Sequence, residues 1–513
     1  MKIALITGRL AGSEVRRLAA ELSRPGLEIV VVELPIPVAA MMTSSYLEKE
    51  LPRHLEELKD VDLIIVPGFT SGDLTRVSEI MGKPVVKGVR YLHDIPLMID
   101  AVARGVELSR VEPADELIAA QRAERDLAIL EELKKEASRN YYFTIGVEGK
   151  VYVSPLYPII LHEVYVPRES RVEDVVRSAV KASGSGADVI VLGFPLHYNP
   201  RGLRELVDSV RESTGRPVGV DSPDTLVLKE ALDAGVDLLM SFTLSRLREF
   251  MDIDGLKDKA VVLIPGEEAQ GQEVLDSLAH TYSTAVEHGF SKIILDPILD
   301  IPLAGLTRSL ERYVKAREMF PKTPLLMGAG NITEMIDADS VGVNALIASM
   351  GVEIGVEVYL TTEASVKTRG STRELRRALD MCLIARREKR PPKDLSINLL
   401  VLKDKRRKTT PLQLQGIVVE AGERLGFKAD PKGFFRIHVD HDSSRIVVEH
   451  YKPGEAAPDY TIIGVDPKAI LAEITRMQLA SLPDHFFYLG YELSKASIAL
   501  RIGKEYVQDE DLF

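Results

Sequence analysis

Between residues 159 and 387, short apolar runs return at a nearly constant interval. That regularity limits the possible folds more than any other feature. The runs begin near Ile159, Asp188, Pro217, Val236, Ala260, Lys292, Pro324 and Val356, a mean step of about 28 residues, which suits one strand, one helix and their loops. Amphipathic stretches fill the gaps over 172–181, 203–212, 225–234, 244–251, 273–289, 306–320 and 339–351, with a last one over 371–387. Eight such units in roughly 230 residues predict a (β/α)8 TIM barrel. An open sheet of eight strands satisfies the same spacing.

The flanks read differently. Over 1–110, strand-like runs such as Lys2-Ile3-Ala4-Leu5-Ile6 and Asp62-Leu63-Ile64-Ile65-Val66 alternate with amphipathic segments. This predicts a small doubly wound α/β domain with a parallel sheet covered on both faces. A charged amphipathic stretch over 111–140 reads as connecting helices. The barrel is assigned to 141–390, where a basic helix end followed by Pro391-Pro392 marks a linker. Residues 395–513 read as a small α+β domain, with strands expected over 397–403, 434–439, 445–450 and 460–464 and helices over 467–480 and 489–503.

The chain is 513 residues long, 45% hydrophobic and 28% charged, with 65 Lys and Arg against 77 Asp and Glu. The net charge of −12 opposes a general nucleic-acid or anionic-membrane surface. No apolar run approaches the roughly 20 residues of a membrane span. A single cysteine, Cys382, rules out an intrachain disulfide and a CxxC metal site. With no signal peptide in view, the expected location is a reducing cytoplasm.

In a barrel, ligands gather at the C-terminal ends of the strands. Asp221 ends Val218-Gly219-Val220, and Asp296 ends Ile293-Ile294-Leu295, on strands nearly opposite in the ring. Each would be partly buried, and a buried carboxylate needs donors or a cation. Two facing acceptors suit a flat heterocycle bearing N–H and amino groups; capping the next helix is the plainer role. Ser241 and Thr243 follow the fourth strand. Gly328-Ala329-Gly330-Asn331 follows the seventh, where Asn331 either meets a ring nitrogen or caps the next helix with Glu334. Lys367, Arg369 and Ser371 precede the last helix and read as an anion site or as a solvated basic loop. Weaker signals are Gly8, Gly12 and Ser13 after the first strand, without GxGxxG spacing. The cluster His438, Asp440, His441 and Asp442 fits a surface hairpin better than a metal site, and His485 fits a core position. No metal ligand set is assigned.

The Val-Asp-Ser at 220–222, the Ile-Leu-Asp-Pro at 294–297 and their spacing resemble the pterin-binding barrel superfamily. That group includes dihydropteroate synthase and the methyltetrahydrofolate-to-corrinoid methyltransferases. Over nearly its full length the chain resembles the dihydropteroate synthase-related proteins, in which an N-terminal domain precedes the barrel and a small C-terminal domain follows. Tyr488-Leu489-Gly490-Tyr491-Glu492-Leu493-Ser494-Lys495-Ala496 and Tyr506-Val507-Gln508-Asp509 look like that last domain. The resemblance implies a reduced pterin held by Asp221, Ser241, Asp296 and Asn331. Asp296 would accept from the pterin N3–H and 2-amino group, and Ser241 stands where relatives carry Asn.

The chain lacks the Ser-Arg-Lys that a synthase carries after strand seven and the Arg-x-His that ends its strand eight. Three readings follow from the resemblance. A synthase would condense a hydroxymethyl-dihydropterin diphosphate with an arylamine, with Lys367, Arg369 and a Mg²⁺ ion neutralising the departing diphosphate. A methyltransferase would use Asn331 near pterin N5 and pass the methyl group to a corrinoid protein. A binding protein would hold the pterin for a partner. The superfamily implies a homodimer.

Overall fold

The computed structural model describes residues 1–146, 150–271, 273–404, 416–422 and 428–513. Parts of the expected 395–513 domain therefore lie outside the described residues. The chain forms two compact units, one of Met1–Glu363 with Gly370–Leu399, the other of Ala364–Arg369 with Leu400–Phe513.

The first unit opens with β1 (Lys2–Gly8), α1 (Gly12–Leu22), β2 (Glu28–Leu34), α2 (Ser44–Glu50), β3 (Leu63–Val66), α3 (Thr75–Met81), β4 (Val85–Lys87) and α4 (Ile95–Ala103). The strands pair in parallel in the order β2-β1-β3-β4. Strand alternation explains the two covered faces. Ile3 and Leu5 pack with Val15, Ala19 and Met98 of α1 and α4, while Ala4 and Ile6 pack with Leu47 and Val77 of α2 and α3. The doubly wound reading holds.

The charged stretch becomes one helix, α5 (Ala119–Ala137). Its polar residues are not all solvated. Asp94, fully buried between β4 and α4, meets Arg122 Nη2 at 2.8 Å and Arg125 Nη1 at 3.1 Å. Arg390 Nη1 lies 3.7 Å from the same carboxylate. One carboxylate thus gathers cations from α5 and from the segment after the last barrel helix.

A hairpin of β5 (Phe143–Ile145) and β6 (Val151–Val153) precedes the barrel. The barrel strands are β7 (Ile159–Tyr165), β8 (Val189–Gly193), β9 (Val218–Asp221), β10 (Leu238–Phe242), β11 (Ala260–Leu263), β12 (Ile293–Leu295), β13 (Leu326–Gly328) and β14 (Val358–Thr362). Each begins within two residues of its expected start. All pairs are parallel in the order β12-β11-β10-β9-β8-β7-β14-β13. A parallel bridge between Leu295 and Leu325 joins the two ends, so the ring closes and the open-sheet alternative falls away. The helices between are α6 (Val172–Gly184), α7 (Leu203–Thr214), α8 (Thr225–Asp233), α9 (Leu244–Phe250), α10 (Glu273–Glu287), α11 (Leu306–Met319), the short α12 (Gly330–Thr333) and α13 (Ser340–Ile354), with α14 (Ser371–Arg387) last.

Two cores divide the barrel residues by parity. Ile160, Ile190, Val218, Leu239, Val261, Ile293, Met327 and Tyr359 face the helices. Ile159, Leu161, Val189, Val191, Leu238, Met240, Val262, Ile294, Leu326 and Val358 fill the interior, joined by Phe143, Ile145, Val151 and Val153 of the hairpin. The hairpin was not anticipated; its strands are only three residues each, too short for a clear alternation signal.

The second unit holds an antiparallel sheet of β15 (Phe434–Asp440), β16 (Arg445–Tyr451) and β17 (Tyr460–Gly464), with α15 (Pro467–Arg476) and α16 (Pro483–Ile502). Phe435, Ile437, Val448, Ile470, Leu489 and Leu493 form its core. The strand expected over 397–403 is absent. Side chains meet the backbone here instead: just before the segment Ser396 N–H donates to Asp126 Oδ2 at 2.9 Å, and within it Arg377 Nη2 donates to the Asn398 carbonyl at 3.0 Å.

The Asp94 cluster should be costly to break on one side. Asp94→Ala strands buried guanidinium groups, and we expect it to lower unfolding stability by about 3–5 kcal/mol, measured by denaturant titration. A loss below about 1 kcal/mol would show that the cluster is solvated.

Candidate functional site

The parity of the barrel strands fixes what reaches the mouth. On β7, Ile159 and Leu161 point inward, so Glu163 also points inward, at the C-terminal end of the strand. The same count places Gly193, Asp221, Asp296, Gly328 and Thr362 in the top interior layer. Gly193 is required there. A Cβ at this position would lie 2.2 Å from Glu163 Oε1, so the space a side chain would fill is taken by the Glu163 carboxyl.

Asp221 and Asp296 therefore share the mouth, as expected, but with a third acid that the sequence reading missed. Burial and the neighbouring Asp221 carboxylate push the Glu163 carboxyl up to about 7. Burial lifts Asp296 to about 6, with Asp221 adding to the rise. Asp221 is raised as well, chiefly by burial. The available signal was the alternation within Ile159–Tyr165, in which Glu163 is the single acidic member of an inward-facing series.

The partners of the two aspartates define what remains open. Asp296 Oδ1 accepts from Ile298 N–H at 2.7 Å and lies 3.0 Å from Tyr313 Oη. Tyr313 Oη is closer to the Leu326 carbonyl, at 2.7 Å. The single hydroxyl proton of Tyr313 thus has two acceptors in reach, the Leu326 carbonyl and Asp296 Oδ1. Asp296 Oδ2 has no partner among the described residues. The Ser241 hydroxyl lies near enough to Asp221 to offset part of the rise that burial causes. Ser241 has φ of 63°, in the left-handed region that a β-carbon disfavours. The β10–β11 register shifts between Leu239 and Phe242, so a bulge turns the hydroxyl toward Asp221. Arg246 holds both loops, donating to the Ser241 carbonyl at 2.8 Å and the Pro223 carbonyl at 3.1 Å.

The other expected positions are placed as follows. Asn331 is exposed within α12, and its Nδ2 donates to the Leu299 carbonyl at 2.7 Å. It is not the helix cap, which is Ala329. Ser371 is fully buried as the first residue of α14, and its Oγ accepts from Asn344 Nδ2 at 2.8 Å. Lys367 and Arg369 belong to the second compact unit, where Arg369 Nη2 is 3.2 Å from Asp442 Oδ1.

The N-terminus of α14 already holds an anion. Glu363 accepts from Thr372 N–H at 3.3 Å, with the Gly370 N–H near enough to favour its charged form. Burial raises this carboxyl, but the amides, His162 and Lys181 together hold it below its ordinary value. His162 itself is buried, bonded through Nδ1 to Thr372 Oγ1 at 2.7 Å, and pushed down to about 4 by burial.

In the second unit, His438 and Asp440 lie on the β15–β16 hairpin. Asp440 caps its turn by accepting from Asp442 N–H at 3.0 Å and Ser443 N–H at 3.1 Å. His485 is a core residue, 4% exposed, against Asp430 at 3.1 Å. Among the described residues no cluster of three or more His, Cys, Asp or Glu has the arrangement of a metal site, and no helix is long and apolar enough to cross a membrane.

A family model described as PterinBD-DUF4346 matches residues 429–509, and one described as a family of unknown function, DUF6513, matches residues 1–90. Uncharacterized protein MJ0107 of Methanocaldococcus jannaschii is 33% identical over 534 residues, spanning 100% of this chain and 99% of that one. The chain belongs to its family. The match over 429–509 bears out the resemblance read from the Tyr488 and Tyr506 motifs. Among solved structures, the dihydropteroate synthase of Yersinia pestis is 15% identical, covering 48% of this chain and 100% of that one with a TM-score of 0.38. That of Thermus thermophilus in complex with 6HMPPP is 22% identical, covering 46% and 96%, with a TM-score of 0.37. At these TM-scores the likenesses bear no weight, and the barrel stands on its own strand order.

Two outcomes test the acidic mouth. In the unfolded chain Glu163 titrates near 4.5, and in the folded chain near 7. The folded state therefore holds the extra proton between these values, and stability falls as pH rises through that window. Glu163→Gln should remove the fall: its melting temperature should match the parent near pH 4.5 and exceed it by a few degrees at pH 8. Equal melting at both pH values would place Glu163 in solvent. Gly193→Ala should displace the Glu163 carboxyl and flatten the same pH dependence, measured by the same melting series.

Proposed function

We propose that the barrel mouth binds a reduced pterin and that the chain is a pterin-dependent transferase. The observation that carries this reading is the open Oδ2 of Asp296, set in the same interior layer as Asp221 and Glu163. An acceptor-rich, partly dry mouth calls for a ligand that brings donors. The N3–H and 2-amino group of a pterin supply two of them on one edge, matched to a carboxylate with an open oxygen. The name of the family model at 429–509 supports the same ligand class.

Two group transfers fit such a pocket. The synthase reading sends an arylamine to the methylene carbon of a hydroxymethyl-dihydropterin diphosphate as the diphosphate leaves. It needs positive charge near that leaving group, from Lys367, Arg369 and a Mg²⁺ ion arriving with the substrate. The occupation of the α14 N-terminus by Glu363 removes one place where the diphosphate would sit. The methyl-transfer reading asks instead for a proton at pterin N5, and a carboxyl titrating near 7 is suited to carry one at neutral pH. Glu163 thus favours methyl transfer to an external acceptor such as a corrinoid protein, with Asn331 as the second polar group this reading calls on.

Calorimetric titration with a hydroxymethyl-dihydropterin diphosphate, with and without Mg²⁺, and with a methyl-tetrahydropterin separates the cases. Binding of only the methyl-pterin, weakened by Glu163→Gln or Asn331→Ala, supports methyl transfer. Binding of only the diphosphate, weakened by Lys367→Ala, supports the synthase. Binding of both without turnover leaves a carrier. No binding of either at micromolar levels overturns the pterin reading. Asp296→Asn should weaken whichever pterin binds by about tenfold or more, as expected for a charge-assisted pair. Affinity of the parent should also rise about tenfold from pH 5 to pH 7, because Asp296 ionises near 6.

A further inference from the structure

The N-terminal sheet carries its own cavity, of about 330 Å³. Its walls come from the C-terminal ends of β1, β3 and β4, from the starts of α1 and α4 and from the loop after β2. In the strand order β2-β1-β3-β4, the chain leaves β1 in one direction and returns to its other side, so β1 and β3 flank the point where winding reverses. Open parallel sheets bind ligands at that point.

Three glycines shape the crevice. A Cβ at Gly8 would lie 2.7 Å from the Ile36 carbonyl, one at Gly68 2.5 Å from the Gly88 carbonyl, and one at Gly88 2.7 Å from Ile65 Cγ2. Each lets the loops at the strand ends close on one another. The lining is mainly apolar, with Leu5, Val15, Ile65, Val89 and Met98 inside and Phe69 and Tyr91 edge-to-face at 5.6 Å.

The charged lining residues are already neutralised. Arg90 Nη1 is 3.3 Å from Asp115 Oδ2, and Glu14 Oε1 is 2.5 Å from Arg17 Nη2. Thr7 is different: it is 2% exposed, and among the described residues its hydroxyl meets only the carbonyl of Gly8, at 3.4 Å, beyond good hydrogen-bond length. We propose that this cavity is a second small-molecule site, taking a neutral, flat aromatic ligand of two or three rings with one hydrogen-bonding group directed at Thr7. The size fits the lower end of small-molecule pockets, roughly 300–1,000 Å³.

This site is separate from the barrel mouth. Tyr91 carries the Arg390 guanidinium at 4.6 Å, and Arg390 follows the C-terminal end of α14. The N-terminal end of that helix, with Ser371, lies at the mouth. Seventeen helical residues span about 25 Å. The two sites are therefore distinct, and their ligands are expected not to compete.

The test uses 2-naphthol as the probe on the full chain, read by its fluorescence; the chain has no tryptophan to interfere. Saturable binding at one site is expected, unaffected by a methyl-tetrahydropterin. Ala11→Phe should weaken it about tenfold or more by filling the cavity, and Thr7→Val about threefold to tenfold by removing the hydroxyl. Should Ala11→Phe melt below the parent, the exposed-rim variant Val38→Trp, read by naphthol displacement in calorimetry, gives the same comparison. Absence of saturable binding, undiminished binding in the folded cavity-filling variant, or competition by the pterin would overturn the proposal. Tighter binding of 2-naphthoate or adenosine monophosphate would overturn its neutral-ligand part.

Discussion

Closure of the eight-stranded ring is the constraint on which the remaining architecture rests. Once Leu295 bridges to Leu325, every strand residue must face either the interior or the helices, with no edge on which to place an exception. Apolar residues of one parity then become core, and the last inward residue of each strand becomes mouth. Glu163, Asp221 and Asp296 are brought together by this count and not by sequence proximity. Their shared acidity is the result: each carboxyl is drier than in solvent, and two lie close enough to Asp221 to feel its charge.

The interval between apolar runs made the barrel legible, because strand, helix and two short loops have a nearly fixed combined length. Asp221 and Asp296 were legible for the same reason, each standing where an apolar run stops. Glu163 was not, since β7 continues through Val164 to Tyr165 and the acid sits inside the run. The missing strand at 397–403 shows the opposite failure. Its apolar residues promised pairing, but Asp126 and Arg377 supplied the backbone partners from two helices, and no local pattern announces that.

Ser241 shows how backbone geometry decides what a short side chain can reach. A serine cannot offer the two donors of an amide. The bulge in β10 and the left-handed backbone of Ser241 nonetheless turn its single hydroxyl toward Asp221, while Arg246 fixes the loops on either side. Asp296, by contrast, has one oxygen committed to Ile298 and Tyr313 and the other without a partner among the described residues.

The Glu363 carboxylate at the start of α14 has a consequence for any phosphate that approaches there. A group tethered a few residues from its own binding place acts as a competitor at very high effective concentration, on the order of millimolar or above. It is never diluted and never washed away. An incoming anion would have to outcompete a resident that already holds the Thr372 amide. The helix end is therefore self-inhibited toward free phosphates, and selectivity against them is written into the chain without any residue that repels them.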